Sequence, residues 1–420
     1  MTKFLIIRFS SIGDIIQCMG IIGGIRERFA DVEIHWITRK DMVGTLSMDG
    51  RIDKIWAFDK ETGLAGLLKM AADLRKEHFD YIYDAHSNIR SNILKLIVSP
   101  LPFVKPYVAL RSKERGKRFL LFKLGINHFD KPFRGMVSFQ KPLKKWGITH
   151  FPDNYHDWHF PDEIRSKYEN FVTKDMITLV PSANWEMKRW PVSYWKELVA
   201  LLPEYKFVIL AGPKDTFCEE IRSAAPERVV NLAGQTSLME SSYIVLRSNL
   251  VISADTGFMH AADLFRVPAF ALMGPTAFGF PTGPTVEILE TALPCRPCTK
   301  DGRGKCKLAV YQKCMVDITP QQVAEKIIAS LVDGAYSLCS GITVYERDSY
   351  CFLGVLPAYN VFYGIVATFY QHVRCNCFDE IQRGIFRKNH YVVHCFQGCQ
   401  DCGAGAFIID GARFPFQTFY

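Results

Sequence analysis

The chain has 420 residues, 48% hydrophobic and 22% charged, which fits a globular protein with room for two domains and an extension and excludes fibrous and disordered classes. Its formal net charge of +8 is unevenly spread: residues 1–150 hold 26 Lys+Arg against 15 Asp+Glu, so the remaining 270 carry about −3, and an acidic partner is expected on the amino-terminal side. Thirteen cysteines in so long a chain do not describe a small secreted disulfide scaffold, and the apolar run after Lys3 is cut by Arg8 before it makes a secretory signal, so a cytoplasmic protein is expected.

Lys3–Phe9 is a buried-strand run followed by SSIGD, and Ile15, Met19, Ile22, Ile25 and Phe29 predict one helix over about 15–29. Asp14 then sits at the carboxyl end of the first strand, the edge where open α/β sheets bind ligands; it is either a helix cap or a base for an acceptor hydroxyl. Strand, helix and strand signals alternate through VEIHWIT, 41–48, IDKIWAFD, 64–77 and 79–85, which implies parallel βαβ units. His86, Ser87, Asn88 and Arg90 follow the last of these, as caps or as substrate contacts. Residues 105–145 are loop-rich and basic, with Arg111, Lys113, Arg115, Lys117, Arg118 and Lys123 among Phe119–Phe122. Such a segment suits an anionic membrane surface or substrate phosphates; no nucleic-acid-binding signature is present.

After a connection at 150–175, the strand MITLVPSA leads to Asn184–Pro191, with Pro191 placed to start a helix. Lys188 and Arg189 at a strand's carboxyl end suit a diphosphate; alternatively Arg189 makes a structural salt bridge and Trp190 is core. KFVILAG, VVNLAG and a helix capped at Thr236-Ser237 continue the rhythm. Leu250–Thr276 then joins the strand LVIS to a helix through Asp255, Thr256 and Gly257, with His260 one turn inside, and a second strand stops at Gly274-Pro275-Thr276. Free N–H groups and the helix dipole make such a turn a phosphate site, although Asp and Thr are also ordinary caps. Two βα arrays facing a cleft describe an α/β protein of two Rossmann-like domains; the absence of GxGxxG from the first turn argues against a nicotinamide enzyme.

Taken together, SSIGD, PSANWEMKRWP, LAGQTSL and SADTGFMHAADLFRVPAFALMGPT resemble the heptosyltransferase family, ADP-heptose:lipopolysaccharide glycosyltransferases of GT-B fold, over about residues 1–330. The resemblance implies inverting, metal-independent transfer of heptose from ADP-heptose to the lipopolysaccharide inner core. It makes Asp14 the catalytic base and Lys188 the stabiliser of the departing diphosphate. Ser10, Ser11, Gly13, Asn184, Arg189, Asp255, Thr256, Gly257 and His260 become the donor-binding set. One departure is Pro213-Lys214, where some relatives have an acidic residue contacting the nucleotide ribose; this leaves the donor base open.

Cys295, Cys298, Cys306 and Cys314 form a compact set that is read as a structural zinc site, a disulfide or redox pair, or unlinked thiols. Residues 333–420 hold seven of the thirteen cysteines and lack the α/β rhythm; Ser349–Val373 has no charged residue, a crude membrane-span criterion, and Cys375, Cys377, Cys395, Cys399, Cys402, His390 and His394 offer a second ligand set. The expected organisation is an acceptor-binding domain over 1–155, a nucleotide-sugar-binding domain over 156–332 and an extension over 333–420. The expected activity is heptosyl transfer without a required cofactor, at the inner membrane surface. Two readings stand beside it: transfer of another nucleotide sugar to a different surface glycan or protein, and nucleotide-sugar binding without turnover.

Overall fold

A computed structural model describes residues 1–99, 106–152, 158–169, 171, 173, 176–339 and four short strands beyond. By internal contacts the chain divides into residues 1–328 and 329–420. The first unit carries two parallel sheets, as the alternating strand and helix signals require.

The first sheet contains β1 (Thr2–Ile7), β2 (Val32–Arg39), β3 (Lys54–Phe58), β4 (Tyr81–Asp84) and β5 (Tyr107–Leu110), in the order β3-β2-β1-β4-β5. Every pairing is parallel. Its helices are α1 (Ile12–Met19), α2 (Ile22–Arg28), α3 (Val43–Leu46), α4 (Gly63–Arg75), α5 (Ile89–Val98), α6 (Arg115–Leu124) and α7 (Gly135–Gln140). The helix expected over 15–29 is thus two, broken at Gly20 and Ile21. Gly20 lies so close to Met136 that a Cβ would stand 2.6 Å from its Sδ. The helix expected over 41–48 is reduced to a 3-10 turn at Lys40–Met42 and one turn of α3.

After α8 (Asp162–Tyr168), the second sheet follows: β6 (Met176–Val180), α9 (Val192–Leu201), β7 (Lys206–Ile209), α10 (Cys218–Arg222), β8 (Val229–Asn231), α11 (Leu238–Arg247), β9 (Leu250–Ala254), α12 (Gly257–Phe265), β10 (Ala269–Met273) and β11 (Val286–Glu290). The order is β11-β10-β9-β6-β7-β8, again all parallel. β6, β9 and β10 are buried throughout, which is why they read as unbroken apolar runs. Pro191 starts α9, and Ser237 with Glu240 closes a capping box on α11. α13 (Lys313–Val316) and the first part of α14 (Pro320–Cys339) close the unit, with Trp190 buried and donating Nε1 to the Ile318 carbonyl at 2.8 Å.

The strand order of each sheet reverses once, in the first between β1 and β4, in the second between β6 and β9. Loops leaving the carboxyl ends of strands at such a switch point diverge and leave a crevice. The loops there carry Ser10–Asp14 and His86–Asn88 in one half, Asn184–Lys188 and Asp255–Gly257 in the other.

In residues 329–420, β12 (Thr343–Arg347) pairs antiparallel with β13 (Tyr350–Gly354), and β14 (His390–His394) with β15 (Ala406–Asp410). Cys375, Cys377, Cys395, Cys399 and Cys402, and most of 349–373, lie outside the described residues, as do the side chains of His390 and His394. Among the described residues no helix is long and apolar enough to cross a membrane.

The halves meet where α1 abuts α12. A Cβ on Gly257 would stand 2.6 Å from Ile12 Cγ2 and 3.4 Å from the Gly13 nitrogen. Gly257→Val therefore forces the two helices apart, with a cost of about 1–3 kcal/mol. Thermal unfolding should show a lower Tm; an unchanged Tm would mean that this contact does not hold the halves together.

Candidate active site

The first half contributes one carboxylate in a basic setting. Arg8 follows β1, and its side chain is only 8% exposed, with Nη2 2.5 Å from Asp14 Oδ2. Its Nη1 donates to the Ala85 carbonyl at 2.8 Å, beyond β4. Ser11, the residue before α1, donates Oγ to the same Asp14 oxygen at 3.0 Å. Arg111 stands 3.6 Å from Oδ1; it donates twice to Ser138 Oγ, at 3.1 and 2.7 Å, and lies over the Phe139 ring. Burial pushes the Asp14 carboxyl up, but Arg8, then Arg111, and the Ser11 hydroxyl outweigh it and hold it at about 2. Asp14 is therefore ionised at any physiological pH. Oδ2 is occupied by Arg8 and Ser11, and Oδ1, with Arg111 at 3.6 Å, is the less engaged oxygen.

The neighbouring turn is built for support. Buried Asp84 accepts from the His86 and Ser87 nitrogens at 3.0 and 2.7 Å and pairs with Lys95 at 2.8 Å. Asn88 caps α5 in a reciprocal box with Ser91, and Ser87 Oγ donates to the Arg111 carbonyl at 2.9 Å. Burial, with Arg8 and Lys113, lowers His86 to about 4, so its ring is neutral.

In the second half Lys188 ends a 3-10 turn, Glu186–Lys188, and its Nζ lies 3.0 Å from Asp255 Oδ2. Thr276 Oγ1 donates to that oxygen at 2.8 Å. The Lys188 stem rests on Gly302, where φ is +94° and a Cβ would stand 2.7 Å from Lys188 Cγ. Thr256 precedes α12 and makes no side-chain cap, so the helix opens at Gly257 without one. His260 is buried with Nδ1 unpartnered; burial lowers its pKa against the pull of Asp255 and Asp263, which keeps it neutral.

Arg189 turns away from this group. Its Nε donates to the Ala183 carbonyl at 2.9 Å, its Nη2 to Asp215 Oδ1 at 3.1 Å, and it lies over Phe217. Asp215 also accepts from Ser182 Oγ at 2.5 Å and from the Gly212 nitrogen at 3.0 Å. Arg189 is thus a strut between the turns after β6 and β7, its structural reading. Asn184 is exposed beside it. An acidic residue does stand at the Gly212-Pro213 turn, two residues beyond the proline.

One contact joins the two sets. A Cβ on Gly13 would lie 3.0 Å from His260 Cδ2, so Asp14, one residue on, faces the His260 and Asp255 group across the seam. Above it, Phe278 packs against Phe122, Phe129 and Phe133 at centroid distances of 6.0, 5.0 and 4.9 Å. Arg118 covers Phe278, and Arg134 donates to the Pro281 carbonyl at 2.5 Å. The turn that carries Thr276 and Gly279 is thereby tied to the first half. Arg8 and Asp215 had no place among the site residues in the sequence reading, and Arg111 and Thr276 were noted only as part of a basic segment and a turn; the signal for Arg8 was a lone charge at the end of an apolar strand.

Cys295, Cys298, Cys306 and Cys314 are all free thiols. Burial pushes Cys314 up to about 11 and raises Cys298, while backbone N–H groups, that of Leu308 foremost, lower Cys306. Among the described residues no group of three or more His, Cys, Asp or Glu is placed to hold a metal ion.

The model of glycosyltransferase family 9 (heptosyltransferase) matches residues 67–309. A lipopolysaccharide core heptosyltransferase, OpsX, of Haemophilus influenzae is 24% identical over 278 residues, 64% of this chain and 77% of that protein. A lipopolysaccharide heptosyltransferase 1 of Campylobacter coli is 24% identical over 298 residues, 65% of this chain and 84% of its own. Among solved structures, the ADP-heptose lps heptosyltransferase II of E. coli superposes with a TM-score of 0.61 at 20% identity, covering 80% of this chain and all of that one. E. coli heptosyltransferase WaaC with ADP-2-deoxy-2-fluoro heptose gives 0.57 at 14% identity, covering 78% of this chain and all of that one. These likenesses fix the GT-B fold.

The electrostatics of Asp14 are testable apart from activity. A carboxyl held below its unfolded pKa stabilises the fold above that unfolded value of about 3.8, and the contribution fades as pH falls towards 2. With a third of the Asp14 side chain open to solvent, about 1 kcal/mol survives screening. Asp14→Asn should therefore unfold more easily than wild type at pH 7, the gap closing below about pH 4. Denaturant titrations at pH 7 and near pH 2 check this; a gap independent of pH would place the effect outside the ion pairs.

Proposed function

The chain belongs to glycosyltransferase family 9, the heptosyltransferases, and from that premise we propose that it transfers heptose from ADP-heptose to an inner-core sugar of lipopolysaccharide by a single inverting displacement. The observation that carries this reading is the pairing of an ionised Asp14 in one half with the Lys188–Asp255 pair of the other, across the contact of Gly13 and His260. The relatives, lipopolysaccharide heptosyltransferases of Haemophilus influenzae and Campylobacter coli, support it.

In this mechanism the acceptor hydroxyl lies at Asp14 Oδ1. Its oxygen attacks the anomeric carbon of the donor sugar from the face opposite the diphosphate. As the new C–O bond forms, the hydroxyl proton becomes acidic enough for a carboxylate as weak as Asp14 to take it. Arg8 and Ser11 keep the other oxygen fixed, so the base does not rotate away. The bond to the β-phosphate breaks, and ADP leaves with the electron pair. Negative charge grows on the diphosphate, where Lys188 and the open N-terminus of α12 at Thr256 and Gly257 receive it. Lys188 exchanges its resident partner Asp255 for the diphosphate, and Asp255 with Thr276 turns to the sugar. Neutral His260, with a buried ring nitrogen unpartnered, hydrogen-bonds a sugar hydroxyl. Ser10, Ser11 and Gly13 shape the floor of this site and let the donor approach the backbone.

The acceptor is lipid-linked in this reading, and the protein works peripherally at the cytoplasmic face of the inner membrane. A second donor is favoured by one observation: Asp215 is already engaged by Arg189, Ser182 and Gly212, which leaves less of it for a nucleotide ribose.

Calorimetric titration with ADP, UDP and GDP separates the donors. ADP should bind alone, and Lys188→Ala should weaken it and lower kcat by about 100- to 1,000-fold. A preference for UDP or GDP would keep the enzyme and change the donor. Asp14→Ala should abolish transfer to an inner-core acceptor and leave ADP binding intact; an unchanged rate would remove Asp14 as the base.

A further inference from the structure

Among the described residues, seven of the fifteen exposed large hydrophobic side chains fall within residues 89–126: Ile89, Leu96, Tyr107, Leu110, Phe119, Leu124 and Ile126. The same 38 residues hold nine Lys+Arg against one acidic residue, Glu114, a local +8 that equals the formal charge of the whole chain. Scattered exposed leucines mean little, but apolar surface and cationic charge concentrated in one short stretch of the acceptor half is a different matter.

α6 concentrates both properties. Leu121 turns inward, and Phe122 packs on Phe278. The outer side carries Arg115, Phe119 and Lys123 at successive four-residue steps, so they share one stripe. Phe119 and Leu124 are 59% and 58% exposed, and Ile126 beyond the helix is 46% exposed. Arg118, on the inner side of the same helix, covers Phe278. The exposed stripe therefore lies on the back of the helix that borders the cleft.

We propose that this outer face of α6, with Leu124 and Ile126, is a docking surface for an anionic phospholipid bilayer, and that it holds the acceptor half against the surface from which a lipid-linked acceptor is presented. The inference rests on the proposed lipid-linked acceptor. A protein partner of acidic composition would satisfy the lysines and arginines but not the protruding Phe119 and Leu124; a bilayer interface takes both, headgroups meeting the cations and the acyl boundary meeting the apolar side chains. Each basic residue near such a surface changes partition roughly fivefold. The stripe thus depends on several weak contributions acting together, and salt should weaken it.

The test is flotation of the full chain with vesicles of phosphatidylethanolamine and phosphatidylglycerol, against vesicles of phosphatidylcholine alone, beside an assay on a water-soluble, deacylated acceptor. The wild type should float with the anionic vesicles and lose most of that binding in high salt. Phe119→Asp with Leu124→Asp, and separately Arg115→Glu with Lys123→Glu, should each lower anionic-vesicle binding more than tenfold, with transfer to the soluble acceptor unchanged. Equal flotation of wild type and both variants, or equal binding to both vesicle types, would overturn the docking surface. Failure of the wild type to act on the soluble acceptor would instead count against the heptosyl-transfer reading, so the two can fail separately.

Discussion

The site depends on the close approach of two helix N-termini, α1 and α12, at Gly13 and Gly257. Each glycine faces an atom of the other half at a distance no Cβ tolerates well. Without side chains there, the carboxylate that follows Gly13 and the imidazole that follows Gly257 enter one space. A parallel sheet provides only half of such a site, since its loops fan out from one switch point. Abutting two switch points through their shortest residues brings the Asp14 carboxylate and the Lys188–Asp255 pair to one seam, the arrangement that the proposed displacement uses.

The electrostatics of the two sides are opposite in design. Asp14 is a carboxylate among guanidiniums, which fixes its charge at the cost of its basicity. If Asp14 is the base proposed above, such a carboxylate suits a displacement in which the proton moves late, after bond formation has acidified the hydroxyl. Lys188, in contrast, is a cation stored on a carboxylate, with the pair nearly buried. A buried ion pair contributes little net stability, because desolvation offsets its attraction. In the proposed mechanism the pair keeps an ammonium positioned and partly desolvated until the donor diphosphate displaces Asp255.

Much of this was legible in the sequence because turn chemistry and strand ends are local. The apolar runs of β6, β9 and β10, the capping pair Ser237 and Glu240, and Pro191 before α9 each announced their place. Asp14, Lys188 and Asp255 were legible because they follow strands at the ligand edge. What was not legible is tertiary. Nothing near Asp14 indicates that Arg111, some hundred residues on, is its second cation, since β5 must first lie beside β4. The helix breaks at Gly20, where Met136 leaves no room for a side chain, and a helical stripe that looks continuous over 15–29 gave no warning of that contact. Arg189 looked equivalent to Lys188, and only the position of Asp215 after β7 sends it the other way.

The cysteine segment gains a different meaning from its neighbours. Cys298 donates its backbone N–H to the Pro275 carbonyl at 3.1 Å, and Thr299 pairs as a bridge with Thr276, whose hydroxyl reaches Asp255. Three residues on, Gly302 adopts a left-handed φ of +94° and lies under the Lys188 stem. A side chain there would collide with Lys188 Cγ and Cδ and displace the ammonium. The loop that bears Cys295, Cys298 and Cys306 therefore lies under the Lys188 side chain and supports it through backbone contacts and a missing Cβ. Its order is set by the strand end it follows and by the lysine it supports, so the geometry of Lys188 follows from contacts that a reading centred on thiol spacing would pass over.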